Sequence, residues 1–244
     1  MKLLIVGAGW AGLSAAVWAT LEGHDAIVLE ASRAVGGRAR SAFDHNNQTL
    51  DNGQHILIGA YSQTLTTLRE VGVDVDAALQ RLPLTLQYPD GSGLTLPDWR
   101  QPLFQGADVA MGVLRARGWG LRDKMTLLRV AQGWQRKGFA CDERTSVDQL
   151  CSKLTPRVMR DMIEPLVVSA LNTPADRASG QVFLTVMRDA LFAAPQGGVG
   201  GSNLLLPRTD LGALFPNAAL AWLQERDVRV LLGHRLQTLR RSKQ

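Results

Sequence analysis

The chain is poor in the residues that carry metal chemistry. It has two cysteines and four histidines in 244 residues. Cys141 and Cys151 lack CxxC spacing and have no paired histidine cluster, so no metal site is expected. A reducing cytoplasm is the simplest compartment for this cysteine usage. Long apolar runs are missing as well. No stretch reaches the roughly eighteen residues that a spanning helix needs. No basic run is interleaved with aromatics, so nucleic acid is not an expected partner. There is no Lys/Arg block either: the net charge of +5 comes from scattered arginines. That pattern reads as a solvated basic surface, with a face for anionic lipid headgroups as the alternative. A signal peptide is not read at Met1-Lys2. Gly7, Gly9 and Gly12 interrupt the apolar stretch, Glu22 and His24 follow it, and no small-residue cleavage site stands out.

What remains is an ordinary globular composition, 45% hydrophobic and 20% charged. The length suits one large domain or two smaller ones. Lys2–Val6 is a short apolar run bounded by glycine and predicts a buried parallel strand. Gly12–Glu22 predicts a helix ended by Gly23, and Asp25–Glu30 a second strand. Strand, glycine turn, helix and strand fit within thirty residues, the span of a βαβ unit. Tyr61–Val71 predicts a helix. Leu84–Leu96 alternates around a Pro89–Gly91 turn and predicts a hairpin. Helical periodicity follows at Asp108–Arg117, Leu121–Gly138, Ser146–Leu154, Pro156–Leu171 and Ser179–Phe192. After the Gly-rich Gln196–Asn203 come an apolar Leu204–Pro207, a helical Leu214–Arg226, and a predicted strand pair at Val228–Leu232 and Arg235–Arg240. Strands at both ends with helices between them predict an α/β nucleotide-binding domain interrupted by a helical insert.

Gly7-Ala8-Gly9-Trp10-Ala11-Gly12 is G-x-G-x-x-G placed between a predicted strand and a predicted helix, the context that gives the pattern meaning. Gly7 permits the tight turn, Gly9 lets backbone approach a pyrophosphate, and Gly12 lets helix and strand pack closely. The helix start offers free N–H groups to phosphate. Glu30 ends the second strand eighteen residues after Gly12. A carboxylate there accepts from ribose hydroxyls and disfavours a 2′-phosphate, which argues against NADP. Gly36-Gly37-Arg38 follows; a guanidinium here suits a pyrophosphate, and an exposed turn arginine is the other reading. Asp51-Asn52-Gly53-Gln54-His55 reads on its own as a turn, with His55 either structural or catalytic.

As an ordered set, the strand with GAGWAGL, Glu30, GGR and D-x-G resembles the FAD-dependent amine oxidase and phytoene desaturase superfamily. DNGQHILIGAY (51–61), EPLVVSALNTP (164–174) and LLLPRTDLGALFP (204–216) resemble its squalene-associated desaturase-like branch. The resemblance implies FAD as cofactor. It places Gly7, Gly9, Trp10, Ala11, Gly12, Glu30, Ala31, Gly37 and Arg38 at the ADP half, with Gly53 and Gln54 near the isoalloxazine. It also implies that residues 228–240 return to the FAD domain, with a main-chain contact from Leu236 to adenine. The implied architecture is a Rossmann-like FAD/NAD(P)-binding domain over residues 1–58 and 204–244, interrupted by a mostly helical substrate-binding insert over 59–203. The implied activity is reductive removal of the hydroxyl of hydroxysqualene to give squalene, in squalene and hopanoid biosynthesis. A protein acid would assist, with His55 and Glu164 as candidates. The alternatives are carotenoid-type desaturation or another reaction of the superfamily, such as amine oxidation. A long-chain isoprenoid is the implied substrate. The chain is expected to be cytoplasmic, with peripheral contact on the inner membrane face and other squalene-synthesis enzymes as partners. Relatives in this family run much longer and carry a second flavin motif. The chain is therefore expected to be an N-terminal part with an unfinished sheet edge, and an inert fragment is the remaining alternative.

Overall fold

The structure, a computed structural model, describes residues 1–53, 55–98, 106–192 and 200–240. Two compact units emerge. The first gathers Met1–Leu57, Tyr61–Gln80 and Leu205–Gln244, and the second Ile58–Ala60 and Arg81–Leu204.

The first unit is built on a parallel sheet. Strand β1 (Lys2–Val6) pairs with β2 (Asp25–Glu30), Lys2 opposite Asp25 and Val6 opposite Leu29. On its other side β2 pairs, again in parallel, with the Arg229–Leu232 strand, Leu232 opposite Glu30. The central strand is thus β2, and β1 lies at one end of the three-stranded order. Helix α1 (Trp10–Leu21) connects β1 to β2. Its Leu13, Ala16 and Val17 are fully buried and face an equally buried Ala219 and Leu223 of the Pro216–Gln224 helix. Burying each of the larger side chains contributes about 1.5–3 kcal/mol. Gly23 stops α1 with a left-handed φ of 75°, where a side chain would be strained.

The Ser62–Glu70 helix belongs to the first unit, which moves a boundary expected near residue 59. Leu65 and Leu68 bury its inner face, and the Trp18 indole N–H donates to Thr67 Oγ1 at 2.9 Å, tying it to α1. The predicted terminal strand pair also needs correction. Only Arg229–Leu232 is a strand, and residues 234–240 form none. Gly233 turns the chain at φ 73°, after which the His234 N–H donates to the Glu30 carbonyl at 2.8 Å.

The second unit is chiefly helical. Its predicted hairpin is present, Thr85–Gln87 antiparallel to Gly93–Thr95. The helices Ala107–Arg115, Leu121–Arg136 and Gly180–Met187 surround a core in which Phe183 is fully buried and meets Trp134 edge-on at 5.9 Å. The predicted helix over 146–154 is only Val147–Leu150, because Thr155 caps a new start at Pro156. From there Pro156–Val158, a π-turn at Met159–Ile163 and Glu164–Leu171 run end to end. Pro165 accounts for the wide turn. It lacks an N–H, and its ring displaces the carbonyl four residues back, that of Asp161. That carbonyl instead accepts from the Tyr88 hydroxyl at 2.9 Å. Among the described residues no helix is long and apolar enough to cross a membrane.

Candidate functional site

Three glycine-bearing segments of the first unit converge at the C-terminal end of β1 and β2. The first leaves β1 through Gly7, whose φ of 100° excludes other residues without strain. The Gly7 N–H donates to the Leu29 carbonyl at 2.7 Å, so the turn is pinned to β2. A Cβ on Gly12 would stand 1.8 Å from the Gly7 carbonyl oxygen. Only glycine lets α1 start so close to the strand it leaves. Gly9 caps α1 without any side-chain hydrogen bond, leaving first-turn N–H groups uncapped at Trp10 and Ala11. The Trp10 ring tilts against Phe215 at 4.9 Å, and its indole N–H is buried with no acceptor.

The second segment lies against the first. The Gly36 N–H donates to the Ala8 carbonyl at 2.8 Å, and Gly9 and Gly36 form a parallel bridge. Gly36 has φ 102°, and a Cβ there would meet the Arg40 Cα at 2.9 Å. Gly37 stands beside Gly9, and Arg38 is exposed in the short turn that follows. The third segment closes in through Asn52, whose side-chain amide donates to the Arg38 carbonyl at 3.1 Å, and Gly53, whose Cβ would lie 3.5 Å from the same oxygen.

Glu30 joins these parts. Its Oε2 accepts from the Ala8 N–H and its Oε1 from the Ser32 N–H, both at 2.7 Å. The carboxylate is therefore fixed to the glycine loop on one side and to its own strand end on the other. A carboxylate oxygen has two acceptor positions, so each retains one for an incoming hydroxyl. Ala31 is exposed beside it. The Gly233 N–H donates to the Ser32 carbonyl at 2.8 Å, which brings the chain leading to Leu236 alongside.

A polar strut braces the third segment. Asp51 Oδ1 accepts from the Leu211 N–H at 2.7 Å, and Asp210 Oδ1 accepts from the Ala213 N–H and, in a short contact, from the Ser41 hydroxyl. Partial burial pushes the Asp210 carboxyl up, but the bonds from Ser41 and from backbone N–H groups outweigh it and hold it below the usual carboxylate range. Sequence reading missed Ser41 and Asp210. The last had a signal in Asp210-Leu-Gly-Ala213, the spacing of a helix cap.

The two acid candidates belong to different units. His55, in the first unit, is exposed and stacks on Tyr61 at 6.4 Å with 6° between planes. Glu164, in the second, is exposed at the start of its helix. Gln54 lies outside the described residues. Burial, with Asp148 nearby, pushes the Cys151 thiol up to about 12, which disfavours the thiolate a nucleophile needs.

Residues 5–71 match a family described as an NAD(P)-binding Rossmann-like domain. The match covers the end of β1, the glycine loop, α1 and β2. The chain is 28% identical to hydroxysqualene dehydroxylase of Sinorhizobium fredii, over 98% of its own length and 54% of that protein. The corresponding figures for hydroxysqualene dehydroxylase of Zymomonas mobilis are 29%, 98% and 55%. Zeta-carotene desaturase of Zea mays is 34% identical, over 30% of this chain and 13% of the desaturase. Among solved structures, an oxidoreductase from Methanosarcina mazei superposes with a TM-score of 0.67 at 16% identity, over 96% of this chain and 51% of that one, a likeness of fold. The chain spans about half the length of the curated relatives it matches.

FAD is the cofactor that these similarities imply, and the residues present fit its ADP half. Beyond the adjoining residues, no heavy atom lies within 4 Å of where a Cβ would stand on Gly7 or Gly9, so the loop is open to a pyrophosphate. The uncapped start of α1 supplies donors to it, and Glu30 retains acceptors for the ribose.

Proposed function

We propose that this chain contributes to an oxidoreductase of squalene synthesis that reductively removes the hydroxyl of hydroxysqualene. The observation that carries the proposal is the extent of the match. Two hydroxysqualene dehydroxylases align over 98% of the chain, whereas the maize carotene desaturase aligns over 30%. A match over 98% of the chain takes in the helical unit as well as the dinucleotide fold.

In this reading Gly7, Gly9, Trp10, Ala11 and Gly12 hold the pyrophosphate through main-chain N–H groups, with Gly37 and Arg38 beside them. Glu30 and Ala31 hold the adenosine ribose, and Leu236 offers its backbone to adenine. Gly53 and Gln54 border the flavin ring. The residues from about 81 to 204 form the unit that accepts the isoprenoid chain. A groove of about 770 Å³ in that unit, with Val130, Trp134 and Leu150 among its lining residues, offers an apolar floor for part of it. His55 or Glu164 gives a proton to the allylic hydroxyl. The C–O bond then breaks with its electron pair on oxygen, water departs, and an allylic cation remains. When bound and reduced, FAD supplies the hydride that forms the new C–H bond and is itself oxidised. The protein's part is to orient the substrate, hold the proton and exclude water.

The test is an anaerobic incubation of the FAD-loaded protein, reduced beforehand, with hydroxysqualene, and of the oxidised protein with phytoene in parallel. Squalene from the first and no change in the second is the expected result. A flavin-loaded protein that leaves hydroxysqualene intact defeats the proposal. Desaturation of phytoene by the oxidised protein would favour the carotenoid reading, which the desaturase match supports.

A further inference from the structure

The second unit carries its positive charge unevenly. Between residues 115 and 137 stand Arg115, Arg117, Arg122, Lys124, Arg129, Arg136 and Lys137 against a single carboxylate, Asp123. Among the described residues none of these cations is in an ion pair. The stretch is a helical hairpin: Ala107–Arg115, a five-residue connection, and Leu121–Arg136. At its tip two leucines face solvent, Leu114 at 49% exposure and Leu121 at 75%.

The tip is held in one shape. Arg117 and Gly93 exchange main-chain hydrogen bonds at 2.8 and 3.0 Å. The Arg157 guanidinium donates to the Gly118 carbonyl at 2.7 Å, and the Lys124 ammonium donates to the Leu114 carbonyl at 2.9 Å. Lys124 lies one turn from Leu121 on the same helix face, so both exposed leucines border one rigid connection. Arg115, Arg117, Arg122, Lys124 and Arg157 surround it. Two carboxylates share the region and remain charged. Asp123 is held low first by the Thr155 hydroxyl, and Asp90 by Ser92. Five cations against two anions leave the tip net positive.

We propose that this hairpin tip docks on an anionic lipid bilayer, Leu114 and Leu121 entering the interface and the surrounding cations meeting headgroup phosphates. Exposed aliphatic side chains inside a ring of cations fit that boundary, where apolar insertion and phosphate attraction act together. An RNA surface fits less well. Base stacking needs exposed aromatics, and the tip's one aromatic residue, Trp119, is buried. The inference uses residues of the second unit alone and stands whether or not the proposed reaction does.

Co-sedimentation of the full chain with vesicles decides it, using phosphatidylcholine alone and phosphatidylcholine mixed with phosphatidylglycerol. The expected result is binding to the mixed vesicles that salt weakens. Reversing Arg117→Glu with Arg122→Glu should lower it at least about 25-fold, at about fivefold per cation lost. Leu114→Ser with Leu121→Ser should lower it at least about tenfold. Arg69→Glu with Arg177→Glu makes the same charge change elsewhere and should leave most of the binding intact. If a tip pair melts early, the single changes Leu121→Ser and Arg122→Glu replace it. Equal binding to neutral vesicles, indifference to the leucine pair, or an equal loss in the Arg69/Arg177 control would overturn the proposal. So would RNA binding that the charge reversal abolishes in a protein that ignores vesicles.

Discussion

Gly12 shows how little freedom the dinucleotide loop has. A methyl group there would sit 1.8 Å from the Gly7 carbonyl oxygen, so α1 would have to move off β1. Gly12→Ala is expected to cost more than the roughly 1–3 kcal/mol of ordinary overpacking and to abolish FAD loading. Urea unfolding and flavin absorbance would measure the two losses. Asp210 gives a prediction in pH. Its folded carboxyl lies below the ordinary value of 3.8, so its contribution is complete above that value. It is lost as pH falls through the lower folded-state value. Asp210→Asn keeps a capping side chain but has no such titration. Its urea midpoint should fall less steeply than that of the parent below about pH 4. At this scale the sequence was informative where one residue type has one physical use. Gly7 and Gly12 could be read because a tight turn and a close approach demand glycine. Gly36 was not assigned its cross-bond to Ala8, because its partner lies twenty-eight residues away.

Elements were legible where their signals are local. The Pro-Asp-Gly turn and alternation announced the hairpin near Leu84–Leu96, and the glycine loop between two apolar runs announced β1, α1 and β2. The last strand was harder. Its partner is β2, two hundred residues earlier in register terms (Val230 opposite Val28), so no local pattern records the pairing. The second strand expected at Arg235–Arg240 is not formed. The π-turn at Met159–Ile163 is a further case: residues 156–171 read as one helical stretch, and nothing local records the distant hydroxyl that relieves the break. Tyr88 provides that hydroxyl from the hairpin. Tyr88→Phe should leave the Asp161 carbonyl unpaired and cost about 1–3 kcal/mol, visible as a lower melting temperature with the same helix content. An Asn172 in the left-handed region then ends the helix, as its residue type allows.

The whole molecule is legible in class and less so in partition. An α/β nucleotide-binding unit and a helical unit were both expected, but Ser62–Glu70 joined the former because Leu65, Leu68 and Thr67 are used there. The first unit is thus sewn from three separate stretches. The links from Gly233 and His234 to Ser32 and Glu30 connect the last stretch to the acid proposed to hold the ribose. FAD added at about a hundred times its dissociation constant should stabilise the protein by about 2.7 kcal/mol. In hydrogen exchange, protection should rise in residues 229–234 together with 25–32, although only the latter would touch the cofactor's ribose. Protection confined to residues 1–32 would show that the tie does not transmit.

The same sewing has a consequence in time. On a ribosome, β1, α1 and β2 emerge early, yet the strand that completes β2 on its second side begins at Arg229. At about 5–20 residues per second, β2 waits roughly ten to forty seconds with an open flank while the helical unit is made. Leu4 and Val6, 52% and 55% exposed on β1 even in the finished fold, add to that exposure. The nascent sheet is the interval in which a chaperone has most to protect, and slower translation before residue 229 would lengthen it.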